Sequence, residues 1–187
     1  DSHDVPHIYG NTDQQSFFGL GFVHAQDRLW QMTLLRRTVE GRLSELFGPR
    51  TLPIDAYMRR LDLYGLAKQS FQYQSKAAQA ALTAYAAGVN AWIRTVNADA
   101  LGRGAPEFFL FSRDIQPWQT ADSLAILRLM ALKQSGQMQN EILRARTLMA
   151  LGGDRARLRD ILPDAPGPGQ IEIRNYASLF GGKTKFA

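Results

Sequence analysis

The sequence contains no cysteine and only three histidines, His3, His7 and His24. The first absence excludes disulfide frameworks, cysteine-based zinc sites and a thiol nucleophile, and it leaves the redox compartment open. So few imidazoles argue against a histidine-rich metal centre. No uninterrupted apolar run approaches the roughly 18 residues needed to span a bilayer, since even Ser123–Leu132 is broken by Arg128, and a soluble chain is expected. A basic start followed by an apolar stretch and a small-residue cleavage site is also missing, so an export signal is expected to have been removed or never to have existed. There is no phosphate-binding glycine loop, no paired zinc-ligand motif and no Gly-x-Ser-x-Gly elbow. The one Ser/His/Asp set that can be drawn, from Ser44, His24 and Asp27, places its serine after Leu43 on a helix without the turn such a nucleophile uses. The sequence therefore offers no catalytic engine of its own.

What is present is the composition of a packed domain. Of 187 residues, 45% are hydrophobic, 10% aromatic and 21% charged, and a domain of this size buries roughly 70% of the surface its unfolded chain exposes. Lysine and arginine number 22 against 17 acidic residues, a net charge of +5. The basic residues are scattered among apolar helices rather than gathered beside exposed aromatics, which argues against nucleic-acid binding.

Glycine and proline punctuate a mostly helical pattern. Residues 1–11 read as a short extended segment, because Pro6 disfavours helix at Val5. Thr12 with Gln15 three places later is a capping-box signature, and a long helix is expected from there to Gly48, bent near Gly19 and Gly21. Phe17, Phe18, Leu20, Phe22 and Val23 fall all round its circumference, so that helix needs cover on every side. Ile54–Gln74 is a weaker helical region. After a cap at Ser75, a helix with one apolar stripe is expected, formed by Ala78, Leu82, Tyr85, Val89, Trp92 and Val96. Gly88 inside it implies a close backbone approach, since glycine there otherwise costs about 1 kcal/mol relative to alanine.

Residues 98–119 read as a loop anchored by Phe108, Phe109, Phe111 and Trp118. Thr120 reads as the cap of a further helix, whose Leu124, Ile126, Leu127, Leu129, Met130, Ala131 and Leu132 again cover nearly the whole wheel. After the polar stretch Lys133–Gln139, helix resumes over Asn140–Leu151 and stops at Gly152-Gly153, with a short helix over Asp154–Leu162. Residues 1–162 form one helical domain in this reading, and 163–187 a linker and tail. Two helices that are apolar on every side are hard to cover within so short a chain, so it reads as part of a larger body.

Few polar residues point to chemistry. His24, Gln26, Asp27 and Arg28 on the first helix read as a structural network, since polar groups among apolar neighbours need partners or exposure. Arg36-Arg37, Arg42, Arg50 and Arg59-Arg60 read as solvated faces and ion pairs, with Glu40 four residues after Arg36. Glu141 opens a helix, where the macrodipole favours a carboxylate; a single carboxylate is too few for calcium, which takes about six to eight oxygens, unless a partner supplies the others.

Four segments together resemble one family. Asp4-Val-Pro-His-Ile-Tyr-Gly10, Gly19-Leu-Gly-Phe-Val-His-Ala-Gln-Asp-Arg-Leu-Trp-Gln-Met32, Arg36-Arg-Thr-Val-Glu-Gly-Arg42 and Tyr85-Ala-Ala-Gly-Val-Asn-Ala-Trp92 are similar, in order and spacing, to the small (α) chain of penicillin acylases and acyl-homoserine lactone acylases. The resemblance runs from residue 4 to about 151. It implies an N-terminal nucleophile hydrolase made as one precursor, a zymogen with a signal peptide, which cuts itself into a small and a large β chain. The expected fold is mainly α in this chain and, with its large partner, an α+β four-layer αββα arrangement. The nucleophile, usually a serine, is the first residue of the large chain, so no catalytic residue is expected here.

The same resemblance assigns the small chain part of the acyl pocket. Met130 matches a pocket methionine, though a methionine is equally at home in a core. Lys133 or Gln134 stands where phenylacetyl-selective relatives carry an arginine, and Gln134 or Ser135 replaces their aromatic. Losing that aromatic wall favours a longer slot for aliphatic acyl chains, each buried CH₂ contributing about 0.8 kcal/mol. Glu141 matches the family's calcium-binding glutamate, for a structural ion shared with the partner chain. Residues 163–187 align with nothing and include, in this reading, a remnant of the excised spacer, while Asp1 lies inside the mature chain. The expected protein is a periplasmic or secreted heterodimeric amidase that acts on acyl-homoserine lactones (a quorum-quenching activity) and on β-lactams such as penicillin G. A dedicated penicillin acylase is the alternative within the same chemistry, and a non-catalytic helical interaction module the alternative outside it.

Overall fold

The computed structural model describes residues 3, 5–98, 105–110, 115–135 and 137–162. The expectations for 163–187, and that for Phe111, lie outside the described residues. Among these the chain is helical and has no strand: α1 (Asp13–Glu40), α2 (Ser44–Phe47), α3 (Leu52–Leu61), α4 (Leu63–Ser70), α5 (Lys76–Ala98), α6 (Glu107–Leu110), α7 (Thr120–Ser135), α8 (Gln137–Ala150) and α9 (Arg155–Ile161), with 3₁₀ turns at Gly48–Thr51 and Phe71–Tyr73. It forms two compact units, Asp1–Ala131 and Leu132–Ala187. That division falls inside the span 1–162.

Helix α1 begins where the capping signature places it. Thr12 accepts the Gln15 backbone N–H at 3.3 Å, while the Gln15 side chain takes the N–H of Asn11, at 2.8 Å, one residue before the cap. The helix ends at Glu40 rather than Gly48, because Gly41 adopts the left-handed conformation (φ 65°, ψ 49°) and Arg42 N–H closes on the carbonyl of Arg37 at 2.8 Å. Its bend is at Arg28 (φ −134°, ψ 19°), not at Gly19 or Gly21. Those glycines serve close packing instead. A Cβ at Gly21 would fall on the carbonyl oxygen of Tyr85, and one at Gly88 on that of Phe18, so α1 and α5 meet backbone to backbone through reciprocal glycines. The approach inferred for Gly88 is thus present.

The core follows from that contact. On α1 the buried residues Gly21, Ala25, Leu29, Met32, Arg36 and Val39 recur at spacings of three and four. On α5 the buried set is Ala86, Val89, Ile93 and Val96, while Leu82, Tyr85 and Trp92 of the expected stripe are only half-buried. The stripe is rotated because the glycine face of α5, rather than its bulkiest face, is pressed against α1. Neither α1 nor α7 is covered all round within this unit: Phe17 and Phe18 are 39% and 41% exposed, and Leu127 is 66% exposed.

Of the expected anchored loop, residues 105–110 and 115–119 are described, and both pieces are fastened to the body of the unit. Phe108 and Trp118 are buried as anchors, whereas Phe109 is exposed, and α6 adds a single helical turn. Two asparagines on α5 hold the segment by its backbone. Asn90 donates to the Trp118 carbonyl at 2.9 Å and accepts the Trp118 N–H at 2.6 Å. Asn97 does the same for Ile115, at 3.1 and 3.2 Å. Ser75 caps α5 as expected, accepting the Ala78 N–H at 3.2 Å. In the second unit, α8 stops at left-handed Gly152 and Gly153, and Asp154 caps α9 through the N–H groups of Ala156 and Arg157. Ala145 and Leu158 are buried there.

Candidate functional site

The first unit has a buried polar centre that joins residues far apart in the sequence. Arg36 lies on the buried face of α1 and Asp122 in the first turn of α7; their side chains are 7% and 1% exposed and 3.4 Å apart. The guanidinium also donates to the carbonyls of Gln116 and Pro117, at 3.1 and 3.0 Å, and lies over the Trp118 ring at 5.5 Å. Asp122 in turn accepts the Tyr64 hydroxyl at 2.8 Å and the Gln119 backbone N–H at 2.8 Å. Burial, reinforced by donation to a carboxylate, pushes the Tyr64 phenol well above its ordinary range, so it serves as a donor. The expectation of a solvated or lightly paired Arg36 is overturned, because a charge on an apolar face needs a buried partner. Thr120 is likewise not the cap of α7 but its first residue, and it is the Asp122 carboxylate that satisfies Gln119 ahead of the helix.

The remaining arginines divide. Arg42 pairs with Glu45 at 2.7 Å and with Glu40 at 3.3 Å, and Arg37 reaches Glu45 at 2.8 Å. Glu40 thus pairs with Arg42, not with Arg36 four residues earlier. Hydrogen bonds from Arg42, against the cost of burial and with help from Arg37, hold the Glu45 carboxyl down to about 2. Arg59 donates to the Gly41 carbonyl at 2.8 Å, and buried Asp55 accepts the N–H groups of Leu43 and Ser44, both at 2.8 Å. These contacts fix the corner after α1.

Residues of α1, α5 and α7 also enclose an apolar cavity of about 610 Å³, lined chiefly by Phe17, Leu20, Leu82, Tyr85, Leu124 and Ile126. Tyr85 is shared between this wall and the polar face of α1, where His24 Nδ1 lies 3.2 Å from its hydroxyl. His24, Gln26, Asp27 and Arg28 are exposed, so the structural network expected of them reduces, among the described residues, to that His24–Tyr85 pair.

The residues assigned to the acyl pocket all lie on α7. Met130 belongs to the first unit and is half-buried beside fully buried Leu129. Lys133, Gln134 and Ser135 belong to the second and are exposed, with the Ser135 hydroxyl donating to the Leu132 carbonyl at 2.8 Å. Glu141 is half-buried on α8. Because that helix starts at Gln137, Glu141 stands a full turn inside it, and the first-turn macrodipole account does not apply. Among the described residues no three His, Cys, Asp or Glu side chains are grouped as a metal site would need. Among the described residues Glu141 belongs to no such group, and a calcium ion bound there would need further oxygens beyond it.

The fold is that of an acylase chain. It superposes on a thermostable penicillin G acylase from Alcaligenes faecalis with a TM-score of 0.72, covering 91% of this chain and 93% of that one, at 24% identity. The family follows from sequence: a model of the penicillin amidase family matches residues 1–181, and the chain belongs to that family. It is 36% identical over 135 residues to the penicillin acylase 2 proenzyme of Pseudomonas sp. (strain SE83), covering 71% of this chain and 16% of that protein. It is 35% identical over 164 residues to the acyl-homoserine lactone acylase QuiP of Pseudomonas putida, covering 87% of this chain and 19% of that protein. The chain therefore spans less than a fifth of the length of these relatives, which are named acylases.

Proposed function

We propose that this chain is the small subunit of a periplasmic or secreted heterodimeric amidase that removes the acyl group from N-acyl substrates. Acyl-homoserine lactones are the first candidates, and β-lactams such as penicillin G are further ones. The likeness to QuiP carries this reading, since it extends over 87% of the chain, long enough to take in most of the helical elements. The end of α7 supports it, with Met130, Lys133, Gln134 and Ser135 offering no aromatic wall to grip a phenyl ring. The exposed Phe17 and Phe18 and the apolar cavity beside them support a large partner chain from the same precursor.

In this reading the partner begins with a serine. Its hydroxyl attacks the amide carbonyl while its own α-amino group, a base with a pKa near 8, takes the proton and returns it to the leaving amine. Water then releases the acyl group from the serine. Glu141 supplies one oxygen to a structural calcium. The identity with the penicillin acylase 2 proenzyme favours a second reading, a dedicated penicillin acylase.

One experiment separates them. The full precursor is expressed, the two chains are identified by intact mass and by the first residue of the large one, and release of free amine is measured for long-chain acyl-homoserine lactones and for phenylacetyl amides. Preferential cleavage of the long-chain lactones supports the proposal; cleavage of phenylacetyl amides alone supports the second reading.

A further inference from the structure

We propose that the Tyr64–Asp122–Arg36 network is a positioning device for acyl-chain selection, fixing the rotation and height of α7 and so the depth at which Met130 closes the acyl pocket. The inference rests on the reading of Met130 given above and adds residues that touch no substrate. Asp122 is fully buried, and its carboxylate is gripped from three sides. Tyr64 of α4 holds Oδ1 at 2.8 Å, while Arg36 of α1 and the Gln119 backbone hold Oδ2 at 3.4 and 2.8 Å. Helix α7 can neither turn nor slide without breaking a charge-assisted hydrogen bond in a buried site, where an unmade bond is costly.

The grip continues along the helix through Ala125 and Leu129, which are fully buried at the next spacings of three and four. Met130 follows Leu129 about 100° further round and is half-buried, at the margin between the packed and the open side. Marginal residues are the most sensitive to helix rotation. On a helix about 10–12 Å across with its side chains, a turn of roughly 10° moves a side-chain tip by about 1 Å, close to the length one methylene adds to an acyl chain. One methylene gained or lost from an apolar slot changes relative reactivity about fourfold.

The test uses the two-chain enzyme made from its full precursor, with Tyr64→Phe, Asp122→Asn and Met130→Ala compared on homoserine lactones whose acyl chains run from about six to twelve carbons in steps of two. Tyr64→Phe removes only the hydroxyl and keeps the Arg36–Asp122 pair, so it carries the test if Asp122→Asn fails to fold. The expected result is a change of about fourfold or more in the ratio of kcat/KM between long and short substrates, expressed in KM, for Tyr64→Phe as for Met130→Ala. A purely structural role lowers the amount of active enzyme and reduces every rate in proportion. An unchanged ratio in Tyr64→Phe therefore overturns the inference, as does an unchanged ratio in Met130→Ala. A wild-type enzyme that cleaves no member of the series overturns instead the functional reading on which it rests.

Discussion

Replacing Gly88 by alanine tests the packing of α1 on α5 by the sign of its effect. In an ordinary helix interior the change stabilises by about 0.5–1 kcal/mol, because alanine loses less backbone entropy on folding. Here the new methyl would coincide with the Phe18 carbonyl oxygen and stand 2.9 Å from the Phe22 nitrogen. Both are backbone atoms of a helix and have no rotamer through which to withdraw. Overpacking of this kind costs typically about 1–3 kcal/mol, and contact with backbone belongs at the upper end of that range. Subtracting the propensity gain leaves a loss of about 2 kcal/mol, or a fall of about 4–8 °C in the midpoint for a cooperative unit of this size. Thermal unfolding followed by circular dichroism measures it. Ala87→Gly, on the exposed neighbouring position, provides the baseline and should cost only about 0.5–1 kcal/mol. A Gly88→Ala protein with an unchanged or raised midpoint would refute the close approach. The double change Gly21→Ala with Gly88→Ala should cost less than the sum of the two, since one separation of the helices relieves both clashes.

Three further expectations follow from the polar contacts. Arg36→Leu leaves the Asp122 carboxylate buried without its cation and should destabilise by about 3–5 kcal/mol, read as a loss of soluble yield or a large shift in urea midpoint; a change below about 1 kcal/mol would mean the pair is hydrated. Glu45 is held down to about 2 from an ordinary 4.5, so its contribution is complete above pH 4.5 and disappears as the pH falls toward 2. Glu45→Gln should accordingly flatten the acid limb of the stability profile in that window while leaving the alkaline limb alone, and identical acid limbs would refute the pairing. Glu141→Gln should weaken calcium retention by the two-chain enzyme, measured by metal analysis after dialysis, and an unchanged calcium content would remove Glu141 from the ligand set.

Much of the fold was legible because local signals and burial agree in it. The α5 cap at Ser75 and the stop at Gly152-Gly153 lie where glycine and hydroxyl chemistry place them. The place of the bend in α1 is not legible, because a glycine in a helix has two uses, flexibility and thinness, and sequence does not distinguish them: Gly21 serves thinness and Arg28 carries the bend. The pairing of Arg36 is not legible locally, because its partner, Asp122, is 86 residues away in sequence. A signal was nevertheless available, since Arg36 continues the series Ala25, Leu29 and Met32 that defines the buried face. Asn90 and Asn97, seven residues apart and so on one helix face, carry a second such signal. For the candidate site, the sequence located α7 but not its chemistry. Lys133, Gln134 and Ser135 are exposed, and the purpose of an exposed side chain is set by whatever lies against it.

The two asparagine clamps also decouple chain length from geometry. Because α5 presents amides that satisfy both polar groups of Ile115 and of Trp118, it acts as a ruler against which the chain is re-indexed just before α7 starts. A change of chain length ahead of Ile115 that left the buried Phe108 anchor in place would be absorbed before that mark, and α7 would still begin at the same height on the rail.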